Sequence, residues 1–229
     1  MTSTRDLSAF PDIATVRRRM QALATLDAIL SAEWEDRYFS FDLRWAAAEQ
    51  MGSMRDGQGN HYFAWFGSGG CWIKGFDHES LLSPFRHKPP QLADGLFENV
   101  PAAFKSCLHE PAFVLDETTF CIWRETNDAA WQHGPVKLPP NDPDPDGSAA
   151  LLAPLDGRPQ TYADWAAEYF ERKLPIAAVE AVYRHEPLDA DLLRAIHPGR
   201  KMAELQADLL EIGYPVAPDL RRRPRGGRR

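Results

Sequence analysis

The stretch His61-Tyr62-Phe63-Ala64-Trp65-Phe66-Gly67-Ser68-Gly69-Gly70-Cys71-Trp72-Ile73-Lys74-Gly75-Phe76 decides how this chain folds. Two short aromatic runs on either side of a glycine-rich turn read as neighbouring antiparallel strands. Residues 61–66 are apolar on both faces, so they are expected as an inner strand covered from two sides. Upstream, Asp56-Gly57-Gln58-Gly59-Asn60 is another turn. Before it, Phe39, Phe41, Leu43 and Trp45 alternate with Ser40, Asp42 and Arg44, the period of a half-buried strand. Downstream, residues 118–124 form a further strand, and a turn at Thr126-Asn127-Asp128 leads to a partner around Ala130-Trp131-Gln132. Together these predict an antiparallel meander of about five strands, near the usual sheet size.

Helical periodicity flanks the meander. Residues 11–36 read as one long amphipathic helix, with Pro11 and Asp12 in its first turn and Ile13, Val16, Met20, Leu23, Leu30 and Trp34 on the inward stripe. Arg17, Arg18, Gln21, Asp27 and Glu33 fall away from that stripe. A proline-rich connection at 83–90 precedes a short helix near 101–109 with Phe104 and Leu108 inward. Residues 138–149 hold too much proline and acid for a regular element. Beyond them come four short helices. Thr161 and Asp164 approximate a capping box for the first, Pro175 opens the second, Asp189 caps the third, and Gly213 closes the fourth after Met202, Leu205, Leu209 and Ile212. The predicted class is α+β: an N-terminal long helix, an aromatic-rich antiparallel meander and C-terminal helical hairpins. The predicted organisation is a helix-plus-sheet domain over 1–140, an acidic proline-rich linker over 141–150, a helical subdomain packed on it over 151–215, and a disordered basic tail over 216–229.

Composition bounds the function. The chain has 229 residues, 44% hydrophobic and 26% charged, which excludes wholesale disorder. Six of its 26 basic residues are arginines among the last nine positions, leaving 20 bases against 33 acids in residues 1–220, a net of −13. So acidic a body disfavours nucleic acid and anionic lipid, and would steer toward a basic protein partner. Cys71, Cys107 and Cys121 are odd in number and show no C-x-x-C pair, so they read as buried reduced thiols. Neither a secretion signal nor an apolar run long enough to span a membrane is present, and a cytoplasmic location is expected. No nucleotide, nucleophile-elbow or H-E-x-x-H signature occurs, so no cofactor is expected. Nothing in the sequence sets the oligomeric state.

Three groups of residues are candidates for chemistry or binding. Asp77-His78-Glu79 lies just past the strand at 71–76, where an imidazole between two carboxylates could act as base or ligand. The same acids could instead cap the turn. A metal there would need His61, His87 or His133 as well, because neighbours on an extended segment point apart. Asp142, Asp144 and Asp146 match the spacing of the first half of a calcium loop, without its closing glutamate. The aromatic density of residues 38–76 is mostly core, but Trp65 and Trp72, with Trp123 and Arg86, are the binding residues if one sheet face stays uncovered. The remaining histidines, His61 among them, read as surface or element-end residues.

Residues 54–86, 118–124, Asp144-Pro145-Asp146-Gly147 and Glu211-Ile212-Gly213-Tyr214 resemble a set of uncharacterised bacterial proteins, a resemblance that brings no activity with it. At the level of fold, a helix followed by an aromatic meander is similar to the SMI1/KNR4-like (SUKH) immunity superfamily. The expected function is therefore a soluble cytoplasmic protein-binding module, immunity-like or regulatory. The alternative is a small hydrolase or metal-dependent enzyme using Asp77, His78 and Glu79.

Overall fold

The computed structural model describes residues 2–218. Helix α1 spans Ile13–Leu30, and the Asp12 carboxylate caps it by accepting from the Thr15 N–H at 2.7 Å. The helix expected over 11–36 stops early. Ser31 is extended, and Trp34–Asp36 is a separate 3₁₀ turn. The stop follows from Asp27, whose Oδ2 accepts from the N–H groups of both Tyr38 and Phe39 at 2.8 Å and so ties the returning chain to the helix. Trp34 is consequently 49% exposed, 5.0 Å from the Arg55 guanidinium, and does not enter the core.

Six strands follow: β1 (Phe39–Ala46), β2 (Glu49–Arg55), β3 (His61–Gly67), β4 (Gly70–Phe76), β5 (Phe120–Glu125) and β6 (Gln132–His133). They lie in chain order and are antiparallel throughout. β2 is the strand that the alternation test passes over, because Glu49-Gln50-Met51-Gly52-Ser53-Met54 carries neither aromatic nor β-branched residues. Its Gly52 marks a close approach of α1: a Cβ there would lie 2.6 Å from Met20 Sδ.

The pleat divides the aromatic residues between two cores. Tyr62, Ala64, Phe66, Cys71, Ile73, Phe120 and Ile122 face α1 and the C-terminal helices. Met51, Phe63, Trp65, Trp72, Cys121 and Trp123 face the other way, under Val100, Phe104, Cys107 and Phe113 of the β4–β5 connection. Trp65, Trp72 and Trp123 stand opposite one another across β3, β4 and β5. The strand at 61–66 is thus covered on both sides, as its pattern requires.

The C-terminal part is helical: α2 (Ser148–Leu152), α3 (Pro159–Tyr169), α4 (Ile176–Tyr183), α5 (Ala190–Ile196) and α6 (Met202–Ile212). These helices share one core with α1 and the sheet. α3 starts ahead of the expected capping box, since Pro159 already occupies its first turn. Thr161 lies inside the helix and donates to Asp156 Oδ2 at 2.7 Å. The segment 141–150 is no free linker: residues 145–149 are buried and α2 begins within it. Residues 216–218, expected as tail, are partly tied down, with the Leu188 N–H donating to the Pro215 carbonyl and the Ala217 N–H to the Leu188 carbonyl. The arginine-rich stretch lies in 219–229, outside the described residues. Among the described residues, no helix is long and apolar enough to cross a membrane.

Candidate functional site

Asp77, His78 and Glu79 leave the end of β4 as a hydrogen-bonded turn. Asp77 Oδ1 accepts from the N–H groups of Glu79 (2.9 Å) and Ser80 (3.1 Å), the capping alternative read from the sequence. His78 Nδ1 and its own N–H both meet Asn60 Oδ1, at 2.7 and 2.9 Å, and its Nε2 stands 3.9 Å from the exposed Glu79 carboxylate. Arg86 closes the loop by donating from Nε to the Ser80 carbonyl (2.6 Å) and from its guanidinium to the Glu79 carbonyl. His61, His87 and His133 do not join the tripeptide. Among the described residues, no three His, Cys, Asp or Glu side chains come together as a metal site.

The three aspartates of the half calcium loop do not converge either. Asp142 Oδ1 accepts from the Asp144 N–H, and Asp144 caps α2 by accepting from the Ala149 and Ala150 N–H groups at 2.8 and 2.9 Å. Asp146 is buried, accepting from the Ser148 N–H (3.0 Å) and the Thr4 hydroxyl. Burial pushes its carboxyl above the usual range, against those hydrogen bonds. Their oxygens are used in shaping the loop and starting a helix, which corrects the reading of Asp142, Asp144 and Asp146 as ligands.

These two candidate segments, far apart in sequence, lie side by side. The Leu82 N–H donates to the Pro145 carbonyl (3.1 Å), and Thr119 bridges the pair by accepting from the Asp77 N–H and donating to the Asp146 carbonyl. Gly147 has φ +75°, and the space a Cβ would take there is filled by the Asp77 side chain. On this fixed double loop Leu81 and Phe85 stand 43% and 52% exposed. Phe85 is braced edge-on against Phe76, with ring centroids 5.8 Å apart. Of the residues expected to bind, Arg86 is on this loop and exposed. Trp65, Trp72 and Trp123 are instead buried in the second core, because the β4–β5 connection covers the face they occupy.

Three buried ionisable groups, at two places in the fold, were missed by the sequence reading. Lys74 is wholly enclosed. Its Nζ contacts His61 Nε2 (2.9 Å), the Glu117 carbonyl (2.5 Å) and the Val114 carbonyl (3.2 Å), and burial pushes it down to about 7. His61, expected at the surface, is buried beside it and pushed down to about 4, first by burial and then by the Lys74 charge. Asp27 is enclosed on α1, accepting from Tyr162 Oη (2.6 Å) besides the N–H groups of Tyr38 and Phe39, and burial raises it to about 7. In each case the signal is a lone charge inside an apolar run, Cys71-Trp72-Ile73-Lys74 and Leu26-Asp27-Ala28-Ile29. The thiols of Cys71, Cys107 and Cys121 are free and buried, and burial pushes all three upward, away from the thiolate form a nucleophile needs.

The fold defines an α+β protein built on a six-stranded antiparallel meander enclosed on both faces. No protein-family model matches the chain, and no match was found among curated proteins or solved structures.

Proposed function

We propose that the protein is a binding module that docks a basic segment of another protein on the double loop formed by residues 77–86 and 142–148. The observation that carries this reading is the exposure of Leu81 and Phe85 on a loop fixed by side-chain and backbone hydrogen bonds. Folding gains nothing from holding a large aromatic ring in water, whereas a rigid exposed aromatic is suited to anchoring a partner at low entropic cost. Glu79 and the Oδ2 of Asp142 offer carboxylate oxygens on the same two loops, and the net of −13 over residues 1–220 adds a long-range field of the same sign. The free thiols suit a reducing compartment, in line with a cytoplasmic role. A regulatory or immunity-like role is the specific form that the fold-level resemblance suggests. The hydrolase alternative is not favoured, since Asp77 and His78 are hydrogen-bonded into the turn.

A photo-reactive phenylalanine analogue placed at position 85 tests the proposal in cells. One discrete protein adduct is expected, weakened at high salt and lost with Glu79→Lys and Asp142→Lys. The same analogue at Leu210, exposed on α6, should give none. An adduct at 85 no stronger than at 210, or one indifferent to the charge reversals, overturns it.

A further inference from the structure

At the end of the sheet where β1 turns into β2 and β3 into β4, a cleft of about 490 Å³ opens against the first turn of α1. That volume lies in the range of small-molecule sites. Ile13, Ala14, Ala48 and Phe66 give it an apolar wall. Two arginines line it, Arg17 from α1 and Arg124 from the end of β5. Among the described residues neither meets a carboxylate within ion-pair distance. Among the described residues Arg17 makes no side-chain hydrogen bond, and Arg124 makes one, from Nε to the Asp128 carbonyl at 3.0 Å. Asp12 also lines the cleft and keeps its charge, its carboxylate accepting from the Thr15 N–H and lying within electrostatic reach of Arg124. Two arginines and one aspartate leave the cleft with a net charge of +1 on an acidic protein.

A ligand that suits these features carries an oxyanion for Arg17 and Arg124 and an apolar body for the wall. Guanidinium groups pair with planar carboxylates and with phosphates in the same two-pronged way.

We propose that this cleft binds a small organic oxyanion, a carboxylate or phosphate monoester, with an apolar body. This site is separate from the double loop and does not depend on it.

The test uses the full chain and four probes at millimolar concentration: 4-hydroxybenzoate, indole-3-acetate, phenyl phosphate and, as an uncharged control, methyl 4-hydroxybenzoate. Amide NMR shifts are expected at Ala14, Ala48, Ser68 and Thr126 with at least one anion and not with the ester. Arg17→Gln and Arg124→Gln should each weaken binding by about tenfold, the scale of one lost charge-assisted hydrogen bond. Preference for phenyl phosphate over both carboxylates would assign the ligand to the phosphate class. Cleft shifts absent with every anion, or undiminished in the Arg17→Gln/Arg124→Gln double variant, overturn the proposal.

Discussion

Lys74 Nζ lies 2.9 Å from His61 Nε2 in the interior of the second core. The ammonium has three neutral acceptors there, one imidazole nitrogen and two carbonyls, matching its three N–H bonds. Both carbonyls belong to the connection that covers this face, and Val114 adopts the left-handed conformation (φ 46°, ψ 62°), uncommon for a β-branched residue, where its carbonyl meets the lysine. Lys74 thus fastens the cover to the sheet, which accounts for a charged residue on an inner strand.

Acid should act on this pair in a definite direction. An unfolded histidine titrates near 6.5, whereas His61 is held down to about 4. Its contribution to stability is complete above about pH 6.5 and is lost as the pH falls toward 4, because the unfolded chain takes up a proton that the native ring refuses. Asp27, raised from 3.8 to about 7, acts oppositely: its contribution is complete below the unfolded value and is lost as the pH rises through about 7. Each slope is at most about 1.4 kcal/mol per pH unit, so the two largely cancel in the wild type. Urea unfolding at pH 7 and 4.5 separates them. Relative to the wild type, His61→Gln should gain stability on acidification and Asp27→Asn should lose it; matching profiles would show the assignments to be wrong.

Lys74→Met should cost about 3 kcal/mol, since three enclosed acceptors lose their donor at once. Adding His61→Phe removes one of those acceptors. The double variant should therefore cost less than the two single changes combined by about 1 kcal/mol. Strict additivity in urea unfolding would show that the pair is not coupled. Faster amide exchange over 102–117 in Lys74→Met would identify the loosened cover directly.

Asp27 joins α1 to β1 and α3 through three hydrogen bonds. Asp27→Ala removes all of them and should cost about 3 kcal/mol, a loss typical of a broken buried network. In Asp27→Asn the amide oxygen can still serve the N–H groups of Tyr38 and Phe39 while its NH₂ donates to Tyr162. That change should cost about 1 kcal/mol at neutral pH. Equal losses for the two variants, read from melting curves, would contradict the geometry.

The hairpin of β3 and β4 was legible because largely apolar runs on both sides of a glycine-rich turn leave little choice of register or burial. The C-terminal helices were legible from their stripes and from Asp189 and Gly213. β2 was not, since its place depends on Met20 meeting Gly52 across the core, a contact without local pattern. The end of α1 was missed for a similar reason: Asp27 stops it through N–H groups eleven and twelve residues further on. At the double loop the sequence singled out Asp77 to Glu79, Arg86 and Asp142 to Asp146 without showing that they are neighbours. It also could not show that the segment between β4 and β5 folds over the tryptophans, which turns Trp65, Trp72 and Trp123 from a possible surface into core.

That adjacency of the two loops makes one glycine far more demanding than another. At Gly147, with φ +75°, an added methyl group would be strained in its backbone and would strike the Asp77 side chain at its root, next to the main chain. Asp77 cannot withdraw without releasing the Glu79 and Ser80 N–H groups it caps. At Gly52 the obstacle is Met20 Sδ, near the end of a flexible side chain, and no positive φ adds to the cost. Gly147→Ala should therefore destabilise by about 3 kcal/mol, combining a left-handed penalty of about 1 kcal/mol with the clash and lost caps. Gly52→Ala should cost about 1 kcal/mol, through modest overpacking. If the double loop is the docking surface, Gly147→Ala should also abolish the photo-adduct at position 85 under conditions where the rest of the chain remains folded by circular dichroism, while Gly52→Ala leaves it intact. A Gly147→Ala protein as stable as the wild type would mean that the loops are not held together as the structure shows.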